Sequence, residues 1–381
     1  MKFVIRVDSS IDIGSGHVMR CLVLANSLKK KSSEVYFICR EHYGNLIKYI
    51  ETSGYKVYKL PQNKPIKNHN SSEKNSPNNW LGVSQEIDAI ECKAIIDNLN
   101  PDWLIVDHYF IDRQWELILK KNNLNIMVID DLANRKHHCE LLLDQNYYIY
   151  PKDRYKNLLP HNCNKLLGPR FALLREEFVN FPIKKTYSKD NKFHVFIFMG
   201  SADKDNQTLK AINSVIFFLE KGELISADVL VGSINMHSVQ IELLCKKYSE
   251  ITFYKSTNRI AELMSKADIS IGAGGSSSIE RCYLGLPSLV ISLAENQVET
   301  TNALDSIGAI CHLGWFEDVD EKIIITMINK LMNNKSLLKS MELKAISIFD
   351  FNKNKNKNKN KNGIEYIADL LFNKSLNHKK I

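Results

Sequence analysis

Apolar positions along the chain fall into short β-branched runs separated by longer stretches with helical spacing. The first half offers FVIRV, VYFIC, YKVYKL, WLIVD (Trp103–Asp107), IMVID (Ile126–Asp130) and ELLLD (Glu140–Asp144). Helical patterns over about His17–Lys30, Tyr43–Glu51 and from about Ser84 lie between them. The alternation restarts at FHVFIFMG (Phe193–Gly200) and continues through a helix from Asn206, ADVLVG, ITFY, a helix from Asn258, DISIGAGG and PSLVIS. Helices run from there to the end. Such alternation predicts α/β architecture with mostly parallel sheets and ligands at the carboxyl ends of the strands. Two Rossmann-type αβα domains facing a central cleft fit it better than one long sheet. The expected division is 1–185 and 186–381, within the polar stretch Asn180–Asn191.

Two polar segments interrupt the pattern. PQNKPIKNHNSSEKNSPNN (Pro61–Asn79) reads as a loop, rich in turn formers. NKNKNKNKNKN (Asn352–Asn362) has no apolar side chain to bury and reads as an insertion with no catalytic role.

Composition narrows the functional classes. The chain has 381 residues, enough for two ordinary cores, with 44% hydrophobic and 25% charged residues. Its net charge of +8 sits largely in lysine-rich loops and at the C-terminus, with no aromatic-interleaved Arg/Lys patch. That argues against nucleic acid and is compatible with a small anionic substrate. The eight cysteines are scattered without a C-x-x-C pair, as reduced thiols would be. No run approaches the ~20 apolar residues of a membrane span. FVIRVDSS reads as a first strand, not a signal peptide. A cytoplasmic monomer without stable membrane association is the expectation.

Three stretches carry candidate chemistry. In IGSGHVMR, Gly14 and Gly16 allow close backbone approach to a ligand where a strand gives way to a helix, and His17 follows directly. The imidazole titrates near neutrality, so His17 could take a proton from water; it could equally hydrogen-bond a phosphate. Asp107, His108 and Tyr109 end a strand of the same domain. In GAGGSSSIERCYLGLPSLVI, a strand delivers Gly274 and Gly275, and Ser276 and Ser277 open a helix. Glycines followed by hydroxyls at a helix start suit a diphosphate. Glu280, one turn on, could accept from ribose hydroxyls or merely complement the helix dipole. FMGSADKDNQTL repeats the design with Gly200, Ser201 and Asn206 as the expected N-cap. His137-His138 lacks partners at ligand spacing, so no metal is expected.

Taken in order, RVDSSIDIGSGHVMRCLVLA, WLGVSQEIDA, IVDHY, VIDDLANRKHHCELLLDQNY, LLGPRFALLREEF, the Gly272–Ile291 run and ENQ resemble the UDP-sugar hydrolases of pseudaminic acid biosynthesis. These look like GT-B nucleotide-sugar glycosyltransferases that use water in place of a sugar acceptor. The resemblance implies that His17 is the base directing water at the anomeric carbon, with inverting C–O cleavage and no metal or other cofactor. It places Tyr109, Arg175, Asn296 and Gln297 near the sugar, with Gly14, Gly16, Asp107 and His108 on the same side. Gly200, Ser201, Asn206, Leu209, Gly274, Gly275, Ser276, Ser277 and Glu280 fall on the UDP side. Ser201 departs from the family, which often has a second glycine there, and the Asn-Lys tract is foreign to the pattern. A GT-B glycosyltransferase and a non-catalytic UDP-sugar-binding protein are the alternatives.

Overall fold

A computed structural model of the chain describes residues 1–62, 80–121, 123–181, 192–349 and 363–378. The loop at 61–79 beyond its first two residues, the expected boundary at 185 and the Asn352–Asn362 repeat lie outside the described residues. The chain divides into two compact units.

The first unit contains β1 (Lys2–Val7), α1 (Gly16–Lys30), β2 (Glu34–Arg40), α2 (Ile47–Thr52), β3 (Lys56–Leu60) and α3 (Gln85–Leu99). It continues with β4 (Trp103–Asp107), α4 (Arg113–Leu119), β5 (Asn125–Ile129), β6 (Leu141–Asp144), α5 (Pro151–Arg154) and β7 (Asn164–Leu167). Its seven strands are all parallel, in the order β3-β2-β1-β4-β5-β6-β7. Side chains alternate across this sheet. Phe3, Ile5 and Val7 of β1 pack with α1, whereas Val4, with Leu104 and Val106 of β4, packs with α3 and α4. A sheet covered on both faces accounts for the near-continuous apolar runs.

The second unit contains α6 (Glu176–Val179), β8 (Phe193–Phe198), α7 (Gln207–Glu220), β9 (Ile225–Val231), α8 (Ser238–Cys245), β10 (Ile251–Lys255) and α9 (Ile260–Lys266). Then come β11 (Ile269–Ala273), α10 (Ser277–Tyr283), β12 (Ser288–Ser292), α11 (Glu295–Ser306), β13 (Cys311–Trp315), α12 (Glu321–Met332) and α13 (Lys335–Ser347). Its six parallel strands run β10-β9-β8-β11-β12-β13. Val195 and Ile197 pack on one face, Phe196 on the other.

Each run read as a strand forms one. Two further strands, β7 (NKLL) and β13 (CHLGW), are edge strands whose residues are only partly covered, so neither has a continuous apolar signal. The domain division is corrected more substantially. The last helix, α14 (Gly363–His378), was expected with the second domain but belongs to the first unit. Its buried residues Ile364, Ile367, Ala368 and Leu371 form one stripe that joins the core around α1. Trp103 Nε1 donates to Leu371 O at 3.1 Å, and Lys31 pairs with Asp369 at 2.6 Å. The second unit begins at Leu174, with Tyr147–Ile149 added, not at 186. No helix among the described residues is long and apolar enough to cross a membrane.

In each sheet the strand order reverses once beside the first strand, between β1 and β4 and between β8 and β11. Ligand sites of doubly wound sheets lie at the carboxyl ends of such strand pairs.

Candidate functional site

At the first unit's switch point, the loop after β1 carries Gly14, in the left-handed region at φ +80°, and leads into α1. His17 and Arg20 are three residues apart on that helix, so they share a face. Asp107 ends β4 and is fully buried between them. Arg20 grips it with two bonds, Nε to Oδ2 and Nη2 to Oδ1, both 2.6 Å. His17 Nδ1 lies 2.7 Å from the same Oδ1. An ionised carboxylate only accepts, so Nδ1 carries a proton, and in the neutral ring Nε2 has the lone pair. The 3.2 Å approach of Arg20 Nη2 to Nδ1 then reflects two donors converging on one oxygen. Burial alone would raise the Asp107 carboxyl, but the Arg20 guanidinium and His17 hold it well below the usual carboxylate range.

Tyr109 packs its ring edge-on to His17, centroids 4.6 Å apart, and Trp80 stacks on Tyr109 at 5.9 Å. Burial, followed by the nearby Asp131 carboxylate, raises the Tyr109 phenol. Asp131 also takes a bond from Arg20 Nη1 at 3.1 Å. The His17 side chain retains 10% exposure, so the ring is largely covered without being sealed.

His108 does not join this group. Its Nδ1 accepts from Phe110 N at 3.0 Å, and Nε2 faces Asp8 Oδ2 at 3.5 Å, inside a buried cluster of Arg6, Asp8 and Asp88. Burial first lowers its ionisation range, opposed by Asp8. The expectation that His108 faces a substrate is therefore corrected: the ring is 4% exposed and belongs to internal packing.

In the second unit, β11 ends in a tight turn. A methyl on Gly274 would lie 2.5 Å from Thr301 Oγ1, and one on Gly272 2.6 Å from both Arg281 Nη1 and Phe198 O. Only glycine permits these approaches. The Gly274 N–H is already used, by Ile291 O and by Gln297 Oε1, both at 3.2 Å. Gln297 Oε1 also accepts from Leu293 N at 3.0 Å, so this side chain braces the turn from α11. Asn296 precedes it on the same helix. The N–H groups of Gly275, Ser276 and Ser277 have no acceptor among the described residues. Ser276 itself supplies no side-chain cap. Glu280 Oε1 accepts from Arg175 Nε at 3.0 Å, and Arg175 also pairs with Glu177 at 2.7 Å.

The neighbouring turn after β8 differs from expectation. Gly200 sits in the left-handed region at φ +94°, and Gly232 leaves room for the Ser201 backbone where a side chain could not. Asn206 precedes α7, but it is itself left-handed, at φ +49°, and its side chain caps nothing. The capping carboxylate is Asp203, which accepts from Gln207 N and Thr208 N, both at 2.9 Å. Asn206 thus holds the expected N-cap position without capping through its side chain, and those N–H groups are not free for a phosphate. Leu209 lies one turn further along α7.

Sequence reasoning missed Arg20, Asp131, Trp80, Asp203 and Arg281. The i,i+3 spacing of His17 and Arg20 was the legible signal for the first.

Comparison with known proteins shows the family and the fold. Residues 194–364 match the glycosyltransferase family 28 C-terminal domain. The UDP-2,4-diacetamido-2,4,6-trideoxy-beta-L-altropyranose hydrolase of Campylobacter jejuni subsp. jejuni is 30% identical over 309 residues, covering 81% of this chain and 97% of that protein. Among solved structures, MurG of Acinetobacter baumannii superposes with a TM-score of 0.62 at 12% identity, over 98% of this chain and 99% of that one. The spinosyn rhamnosyltransferase SpnG gives 0.64 at 16% identity, over 92% and 95%. The fold is that of the GT-B glycosyltransferases. With two parallel Rossmann-like sheets and a near full-length match at this identity, the chain belongs to the UDP-2,4-diacetamido-2,4,6-trideoxy-β-L-altropyranose hydrolase family.

Proposed function

We propose that this chain hydrolyses UDP-2,4-diacetamido-2,4,6-trideoxy-β-L-altropyranose to UDP and the free 2,4-diacetamido sugar, inverting the anomeric centre. The observation that carries this reading is the His17–Asp107 pair at 2.7 Å, which leaves Nε2 as a base. A water oxygen bonds to C1 of the sugar as the C1–O bond to the β-phosphate breaks. The bonding pair leaves on UDP, and the water's proton passes to His17 Nε2. Asp107 orients the ring and stabilises the imidazolium that forms. UDP is a weakly basic leaving group, so one base suffices where a glycosidase needs an acid as well.

The second unit supplies the nucleotide contacts. The N–H groups of Gly275, Ser276 and Ser277 meet the diphosphate, Glu280 meets the ribose, and Gly200, Ser201 and Leu209 lie on the nucleoside side. Tyr109, Arg175 and Asn296 orient the sugar, with the loop from Gly14 to Gly16 giving backbone access.

Incubating the purified chain with the UDP-sugar and no acceptor tests the reading. NMR is expected to show UDP and free sugar, the first-formed anomer inverted. The family 28 match also allows a transferase, which would turn over only when an acceptor is added. UDP binding with no free sugar formed would contradict hydrolysis.

A further inference from the structure

We propose that Arg281 is the built-in counter-charge for the ligand's diphosphate, acting from beneath the turn Gly272–Ser277. The inference rests on the reading that the second unit binds UDP.

Arg281 is fully buried. Its Nη2 donates to Ala273 O at 2.7 Å and to Ser278 Oγ at 2.8 Å, while Nε and Nη1 have no partner among the described residues. No carboxylate among them pairs with it. Glu280, next in the chain, is held by Arg175. The other deeply buried arginines are built differently. Arg6 pairs with Asp8 and Asp88, Arg20 with Asp107 and Asp131, and Arg40 with Asp88 and Glu91. A guanidinium remains protonated at neutral pH, and burying one without an opposite charge is strongly unfavourable.

The surroundings show where the missing charge belongs. Gly272 has no side chain, and the guanidinium is pressed against it: a methyl there would lie 2.6 Å from Nη1. The backbone then turns over the arginine and presents the N–H groups of Gly275, Ser276 and Ser277, which have no acceptor among the described residues. Free donors on the outside and an uncompensated cation behind them specify a dianionic group such as a nucleoside diphosphate, not a neutral nucleoside. By holding the Ala273 carbonyl, Arg281 also fixes the conformation in which those donors face outward.

The test compares Kd for UDP and for uridine in the full chain and its Arg281→Gln and Arg281→Lys variants, by titration calorimetry. Glutamine keeps an N–H for Ala273 O but no charge; lysine keeps the charge. Arg281→Gln is expected to weaken UDP about 10- to 100-fold and uridine no more than about twofold. Arg281→Lys is expected to keep the UDP-to-uridine ratio within about fivefold of the parent. Unchanged UDP affinity in Arg281→Gln, or equal weakening of both ligands, overturns the proposal. Should the glutamine variant fail to fold, a folded lysine variant whose ratio collapses overturns it as well. A parent chain that binds no UDP removes the functional reading too, whereas a parent that binds UDP beside indifferent variants removes only the role of Arg281.

Discussion

The two units use one strand topology and build contrasting surfaces at its switch point. Between β1 and β4 the loop ends bear ionisable side chains: His17 and Arg20 converge on Asp107, and every charge there has an opposite charge within 3.1 Å. Between β8 and β11 the turns open on glycine and serine, and the N–H groups of Gly275, Ser276 and Ser277 have no acceptor among the described residues. The first arrangement suits moving a proton; the second suits holding an anion still. A doubly wound sheet dictates where a site lies, and the residues at the strand ends decide what the site does.

Changing Asp107 to asparagine should sharpen this contrast most. It removes the charge that selects the Nδ1–H tautomer, so kcat should fall about 10²- to 10⁴-fold. The second unit is untouched, and UDP affinity by calorimetry should stay within about threefold. Comparable losses in both quantities would break the division of labour.

Glu280→Gln probes the other surface. It weakens the 3.0 Å link to Arg175 and removes the charged acceptor proposed for the ribose. UDP affinity should drop about tenfold, and 2′-deoxy-UDP should be affected much less. At saturating substrate, kcat should be nearly unchanged.

A separate effect concerns stability in the first unit. Burial, then repulsion from Asp131, pushes the Asp144 carboxyl up to about 8. The folded chain therefore keeps a proton that the unfolded chain releases near pH 4. The associated stability is full below about pH 4 and is lost as pH rises to about 8. Asp144→Asn, which carries no such proton, should gain on the parent by roughly 3–4 kcal/mol between pH 5 and pH 8 in urea unfolding. Parallel stability curves for the two proteins would contradict the assignment.

Much of this was legible in the residues. The runs that became central strands are buried on both faces of their sheets, which is why their apolar signal is continuous. β3 and β10, at two of the edges, are only partly covered and were legible through their β-branched and aromatic residues. The other edge strands, β7 and β13, are only partly covered and carried no continuous apolar signal. The apolar stripe of α14 announces a buried helix face, but a stripe does not say which core will cover it. Asp107 was visible as the polar end of an apolar strand and Arg20 as a neighbour of His17 on one helix face, whereas Asp131 gains meaning only when β4, β5 and α1 lie side by side. At α7, Asp203 and Asn206 are both residue types that cap helices. Both are left-handed in the structure, and only the folded turn shows that the Asp203 carboxylate is the one that reaches the first N–H groups of α7.

The central claim is that His17 handles the proton and does not hold the nucleotide. Substituting His17 with alanine and measuring both acceptor-free turnover of the UDP-sugar and Kd for UDP tests it directly. The account predicts turnover reduced by about 10²- to 10⁴-fold with UDP affinity within about threefold of the parent. Turnover close to that of the parent protein would contradict it.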